Sequence, residues 1–240
     1  MLNLRRPAGA YTSGNRVLDA LPAGDRIDLI ADLEVVNFAA HQVTHEVGAF
    51  LGHVNFPIDA VLSVVATLTN GDTVEVGTVG SEGFVETDAA LHSSLANRTS
   101  FCQVRGMVGQ MSMARFTSRM ATSQTFAQLM RRNVRASLFS AQQFAACNVK
   151  HSVQERCARW LSMTADRVGG TEFILTHDLL AIMLGVRRSG VSEAAEALQR
   201  MGAISYRRGA VTVKNQKLLN DSACECYEAC KHAFSSALRE

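Results

Sequence analysis

The chain has 240 residues, enough for one large unit or two modest ones with their own cores. At 47% hydrophobic and 19% charged it has an ordinary globular composition, and no stretch approaches the ~18 uninterrupted apolar residues of a membrane helix. The formal net charge of +2 is unevenly spread: −4 over residues 1–120, +3 over 121–149, +5 over 150–217 and −2 over 218–240. An acidic half joined to a basic one suits a polyanionic partner, although many solvated surfaces are as basic.

Met1–Asn15 carries two arginines with no apolar run behind them, so it reads as a short arm rather than a secretory signal. Asn15–Ala31 reads as two short helices broken at Pro22-Ala23-Gly24-Asp25. From Leu33 the apolar period shortens to two. Val61–Leu68 and Val74–Val79 are rich in β-branched residues, and Thr69-Asn70-Gly71-Asp72 between them is a hairpin signal. Further strands are expected at Ser100–Arg105 and Val108–Met113, which together suggest a sandwich, barrel or jelly roll.

From Arg115 to about Lys150 there is no glycine or proline. Phe126, Met130, Val134, Leu138, Ala141 and Ala145 recur at spacings of three and four, which predicts one long amphipathic helix. Its narrow stripe suits pairing with a second copy; the alternative is packing on its own domain. His151–Arg167 reads as a helix ended by Gly169-Gly170, and Phe173–Leu175 as a short strand.

Thr176 is a good N-cap for a short apolar helix through Leu184, and Gly185 supplies the conformation of a tight turn. A second helix starts at Arg187 or Arg188, turns Val191, Ala194, Ala195, Leu198 and Met201 inward, and stops at Gly202. Two short helices across such a turn form a helix-turn-helix, whose second helix can offer Arg187, Arg188, Ser189 and Ser192 to a major groove. An ordinary helical hairpin with solvated arginines is the alternative. Ala203–Val213 argues against it, because a hairpin with Arg208-Gly209 at its tip comes directly afterwards, as a wing would, and sets Arg207, Arg208 and Lys214 where phosphates pass.

Leu175–Val213 resembles the C-terminal domain of the cyclic-AMP-receptor-protein/FNR family of bacterial regulators. Asp59–Gly83 is similar to that family's N-terminal β-roll, and His151–Leu161 to the helix leading into its DNA-binding domain. The resemblance implies an α+β fold: a cyclic-nucleotide-binding-like β-roll (a double-stranded β-helix) at 1–114, a dimerisation helix at 115–150, a winged helix-turn-helix at 151–220 and a helical tail at 221–240. It further implies a cytoplasmic homodimer on a palindromic operator with half-sites about 34 Å apart, and RNA polymerase as a partner. Thr176, Arg187, Arg188, Ser189, Ser192, Glu193, Arg207 and Arg208 are the expected DNA-binding residues. Arg188, Ser189 and Glu193 fall at the family's main base-reading positions, where its best-known members carry arginine, glutamate and arginine. Only the first is kept, so the resemblance implies an operator unlike the usual family half-site.

The family's cyclic-nucleotide binders carry a Gly-Glu pair and, downstream, an Arg-Ser/Thr pair. Here the first is missing from Gly83-Phe-Val-Glu86, and Arg98-Thr99 matches the second. Glu86, Arg98 and Thr99 are therefore the candidate effector residues, with weak or no binding of cyclic AMP expected and the effector unknown. The family's iron–sulfur members use an N-terminal cysteine cluster, but no cysteine precedes Cys102. Cys102, Cys147, Cys157, Cys224, Cys226 and Cys230 are read as reduced thiols. Cys224, Cys226 and Cys230 with His232 could hold a metal, but residues two apart on a helical tail face different sides, so small buried thiols are expected, with no metal and no cofactor. Two other readings stay open. One is a cupin-like metal-dependent enzyme using His41, His45, His53 and Glu46, which leaves the winged helix unexplained. The other is a protein-interaction module, favoured by Glu193 and Glu196, that no longer binds DNA.

Overall fold

The computed structural model describes residues 12–239. Most of the expected N-terminal arm lies outside them. Its described end is tied down, because Ser13 bonds Asp19 through both its N–H (2.7 Å) and its hydroxyl (2.9 Å). Asn15 is buried and caps α1 (Arg16–Asp19), while its amide donates to the Pro57 and Gly83 carbonyls. With α2 (Ala23–Ile30), this gives the two expected helices.

The β-roll is two antiparallel sheets. β1 (Glu34–Phe38), β3 (His53–Pro57) and β7 (Gly106–Ser112) form one, with β7 central. β2 (Val43–His45), β4 (Val61–Thr67), β5 (Thr73–Val79) and β6 (Thr99–Val104) form the other, in the order β2-β6-β4-β5. β4 and β5 are the expected hairpin pair, with Leu62 opposite Val79 and Thr67 opposite Thr73. Leu62, Val79, Cys102, Val108 and Phe38 share one cluster between the sheets. A second cluster joins the short N-terminal helices to the roll and to the helical segment beyond it. Phe56, Phe84, Phe116 and Phe126 meet in a chain of rings 5.5 to 5.9 Å apart, and burying each of these phenyls contributes roughly 2–3 kcal/mol.

The expected single helix from Arg115 to Lys150 is two. α4 (Met113–Thr122) stops, Ser123 turns extended at φ −112° and ψ 108°, and α5 (Gln124–Lys150) begins. The Ser123 hydroxyl accepts from the Phe126 N–H, so a serine cap makes the break that no glycine or proline announces. The apolar stripe also divides. Phe126 and Met130 are buried in the β-roll cluster, whereas Leu138, Ala141 and Ala145 are exposed.

A capping box of Ser152 and Glu155 opens α6 (Val153–Val168), and Gly169 ends it left-handed. Then come β8 (Glu172–Ile174), α7 (His177–Leu184), α8 (Arg188–Arg200), β9 (Ile204–Arg207) and β10 (Ala210–Val213). β8, β10 and β9 form one antiparallel sheet. Trp160, Leu161, Leu180, Leu184, Val191, Leu198 and Val211 fill this unit's core. Met201, expected on the inner face, is 44% exposed, because α8 has already ended there.

α6 also fastens the two halves. The Trp160 indole donates to Glu75 (2.9 Å), and Arg167 pairs with Glu82 (2.7 Å) and donates to the Thr78 carbonyl. α9 (Gln216–Asp221) and α10 (Cys226–Ala237) complete the chain. α10 is no loose tail: Phe234 and Ala237 pack on Ala136, and Tyr227 bonds Asp166. No helix of the described residues is long and apolar enough to cross a membrane.

Candidate nucleic-acid interface

Thr176 caps α7 by accepting from the Leu179 N–H. α7 ends at Gly185, left-handed at φ 60°, as the turn requires. Val186 packs against the core, and Arg187 is the extended N-cap residue of α8. Val191, Ala194, Ala195 and Leu198 are buried, so the opposite face is fixed outward. Arg187, Arg188, Ser189 and Glu193 are all exposed there. Ser192 differs from the expectation: its hydroxyl is half-buried, 3.1 Å from His177 Nδ1, and donates to the Arg188 carbonyl. It braces α8 against α7 rather than facing out.

Three supports escape a reading of the sequence. The His177 ring lies 4.4 Å from that of Tyr206, and the Tyr206 hydroxyl donates to the Leu175 carbonyl, linking α7 to the wing. Arg156 is buried in α6 and donates to the Leu184 carbonyl, a cation at the C-terminus of α7. Arg188 Nε stands 3.2 Å from Asp178, both side chains being exposed, so the foremost base-reading candidate is held by a solvated ion pair. Such pairs contribute little and yield to a better partner. Histidine next to an N-cap threonine and tyrosine in a hairpin were the available signals.

The wing turns at Arg208 and Gly209, with φ 51° and 77°. Two successive left-handed residues are the mark of the type I′ hairpin, which suits the right-handed twist of its strands. Arg207, Arg208 and Lys214 are exposed. The helix-turn-helix also touches the β-roll. Ala181, Ile182, Gly185 and Arg187 line an open groove together with Asp72 and Val74 of the β4–β5 hairpin.

The candidate effector residues do not converge. A cavity of 330 Å³ lies between β5, α5 and α10, and Arg98 lines it along with His45, Asp88 and Leu138. Glu86 is not in its wall. It is buried, accepts at 2.6 Å from both the N–H and the side-chain amide of Asn55, and lies 3.3 Å from His45. Thr99 Oγ1 accepts from the Val47 N–H. Among the described residues His41, His45, His53 and Glu46 form no group of three: His41 sits exposed in a left-handed turn, and His53 is exposed on β3. This geometry removes the basis of the cupin-like reading.

Comparison with known proteins agrees with the geometry. Residues 155–222 match the family described as the Crp-like helix-turn-helix domain. No curated protein matches the sequence. A CRP-family transcriptional regulator of Thermus thermophilus has a similar structure at 18% identity and a TM-score of 0.65, over 78% of this chain and 96% of that one. FixK2 from Bradyrhizobium japonicum is similar at 13% identity and a TM-score of 0.65, over 80% and 98%. The c-di-GMP-responsive global regulator CLP of Xanthomonas campestris is similar at 18% identity and 0.61, over 80% and 99%. Residues 155–222 are thus a Crp-like helix-turn-helix domain, and the chain as a whole has the β-roll, long helix and winged-helix fold of the Crp/Fnr regulators.

Proposed function

We propose that the chain is a transcription regulator that binds a two-fold symmetric operator as a homodimer, with α8 in the major groove and the wing against the backbone. The observation that carries this is the outward face of α8. Two arginines, a serine and a glutamate stand exposed at the N-cap and on the first turns of a helix whose other side is locked in the core. Arg188 can bond a guanine edge with two parallel donors, and Glu193 can accept only from cytosine or adenine amino groups. Thr176, Arg207 and Arg208 would hold phosphates, which fix orientation but carry no sequence information.

Dimerisation rests on α5. Leu138, Ala145 and Val149 are exposed, and with Gln142 they keep a four-three-four spacing on one side of the helix. That spacing is the seam of a two-stranded coiled coil, with apolar area left for a partner copy. A small effector would bind in the cavity that Arg98 lines. Asp88 in the same wall and the commitment of Glu86 to Asn55 argue against a cyclic phosphate with its ribose. On this reading the resident signal is not cyclic AMP.

Fluorescence anisotropy on labelled duplex DNA across a salt series tests the reading. The logarithm of the association constant should fall linearly with that of salt. Arg207→Ala with Arg208→Ala should reduce the slope by about one for each phosphate that is no longer neutralised. Salt-independent retention, or none at low salt, would instead favour a protein-interaction module.

A further inference from the structure

A group of side chains far from the DNA-reading face has its own chemistry. Cys147 lies in the last turn of α5, and His151 is the residue that ends that helix. Cys226 opens α10, and Cys224 lies in the loop before it. The tail spacing of two is therefore no obstacle, because only one of the two thiols is on a helix. The ligand atoms of these four residues all lie within 4.8 Å of one another. Cys147 and Cys224 sulfurs are 3.5 Å apart, and Cys226 Sγ is 3.7 Å from His151 Nδ1. Zinc–sulfur bonds of about 2.3 Å place tetrahedral ligand atoms roughly 3.8 Å from one another. All three cysteines are buried, and His151 is half-buried at the edge of the group.

The surroundings are those of a metal site. His151 Nε2 lies 3.1 Å from the Glu225 carboxylate and Nδ1 faces Cys226 Sγ, so a proton held on Nε2 by Glu225 would leave the Nδ1 lone pair to an ion. This carboxylate–histidine arrangement orients imidazole ligands and raises their basicity. The Gln143 side-chain amide donates to Cys226 Sγ at 3.2 Å, a bond that favours the thiolate. Cys230 and His232, the other members of the sequence cluster, take no part. Cys230 packs with Met163 and Tyr227, and His232 meets Ser236.

We propose that Cys147, His151, Cys224 and Cys226 form a closed, four-ligand site for one zinc-like divalent cation. Three thiolates and an imidazole select a borderline-soft ion that accepts tetrahedral geometry. Four ligand atoms this close surround one ion and leave no room for a polynuclear cluster. No coordination position stays open, so the site is structural or sensory rather than catalytic. Each thiol that still carries its proton releases it to solvent as the ion binds. The ion would pin the C-terminal helix to the joint where α5 hands over to α6, the helix that leads into the winged domain.

The test is titration of the full-length, reduced, metal-stripped protein with Co²⁺ under anaerobic conditions. The expected result is one equivalent per chain with an intense thiolate-to-cobalt band and tetrahedral d–d bands, abolished by Zn²⁺. Cys226→Ser and His151→Ala should lose the spectrum and the rise in melting temperature that Zn²⁺ gives. Glu225→Ala should weaken binding about tenfold. Cys230→Ser, which removes an equally buried thiol outside the group, should keep both signals. Absence of the thiolate band would overturn the proposal. So would a Co²⁺ spectrum unchanged in Cys226→Ser, or a Cys147–Cys224 disulfide found by thiol counting in the protein as isolated.

Discussion

Arg208 keeps a left-handed backbone at φ 51° at the wing tip, where glycine or asparagine would be easier to accommodate. An exposed cation is kept there at a local conformational cost, which fits the phosphate contact proposed for it. Arg208→Asn should therefore stabilise the fold by up to about 1 kcal/mol while weakening DNA binding. Thermal melts and anisotropy on the same preparation would check both signs. Glu75 poses an electrostatic problem of a different kind. Burial against Ser63 and Trp160 raises its pKa above the ordinary carboxylate value, in spite of the hydrogen bonds that oppose the shift. The folded state then binds more protons than the unfolded one between the two pKa values. Stability from this group is complete below the unfolded pKa and declines as pH rises through the folded one. Glu75→Gln keeps an acceptor for Trp160 without the charge. It should melt higher than the parent at neutral pH, and the gap should close on acidification. A gap that is constant with pH would mean that Glu75 is ionised without cost.

Among the elements, the α7–α8 turn is specified by its glycine. Gly185 is left-handed, and a Cβ placed there would lie 3.3 Å from Val74 Cγ1 on the β4–β5 hairpin. Gly185→Ala should cost about 1–2 kcal/mol from backbone strain alone, measurable by denaturant unfolding. This turn and the wing were legible in the sequence because Gly185, Gly202 and Arg208-Gly209 punctuate them at the places where the backbone turns left-handed. The strands of the β4–β5 hairpin were legible for the same reason, through Asn70-Gly71. The break at Ser123 was not, because the apolar period runs on across it and only a serine hydroxyl marks the new start. Ser192 was misplaced by one step of helical phase: it lies at the boundary of the buried face, where the neighbouring His177 decides its direction. Cys224 and Cys226 stood out in the sequence, but their grouping with Cys147 and His151 did not, because Cys147 and Cys224 are 77 positions apart and meet only when the C-terminal segment docks on α5.

The whole molecule couples three parts through α6: its Trp160 and Arg167 reach the β-roll, and its Arg156 reaches the end of α7. A rearrangement at the cavity proposed for an effector, which Arg167 also lines, would thus reach the winged domain through packed elements. If the exposed stripe of α5 is the dimer seam, Leu138→Glu should give a monomer by sedimentation while leaving each protomer folded. It should also lower operator affinity, because two half-sites would no longer be held by one particle. Base reading by α8 is central to the proposed function. It is tested most directly by selecting bound duplexes from random DNA with the parent protein and with Arg188→Ala. The predicted result is enrichment of a two-fold symmetric motif with half-sites about one helical turn apart, differing from the usual family half-site. In the variant that motif should be degraded at one position per half-site, by roughly 1–3 kcal/mol of discrimination. No enrichment by the parent protein, or an identical motif from both proteins, would contradict base reading by α8.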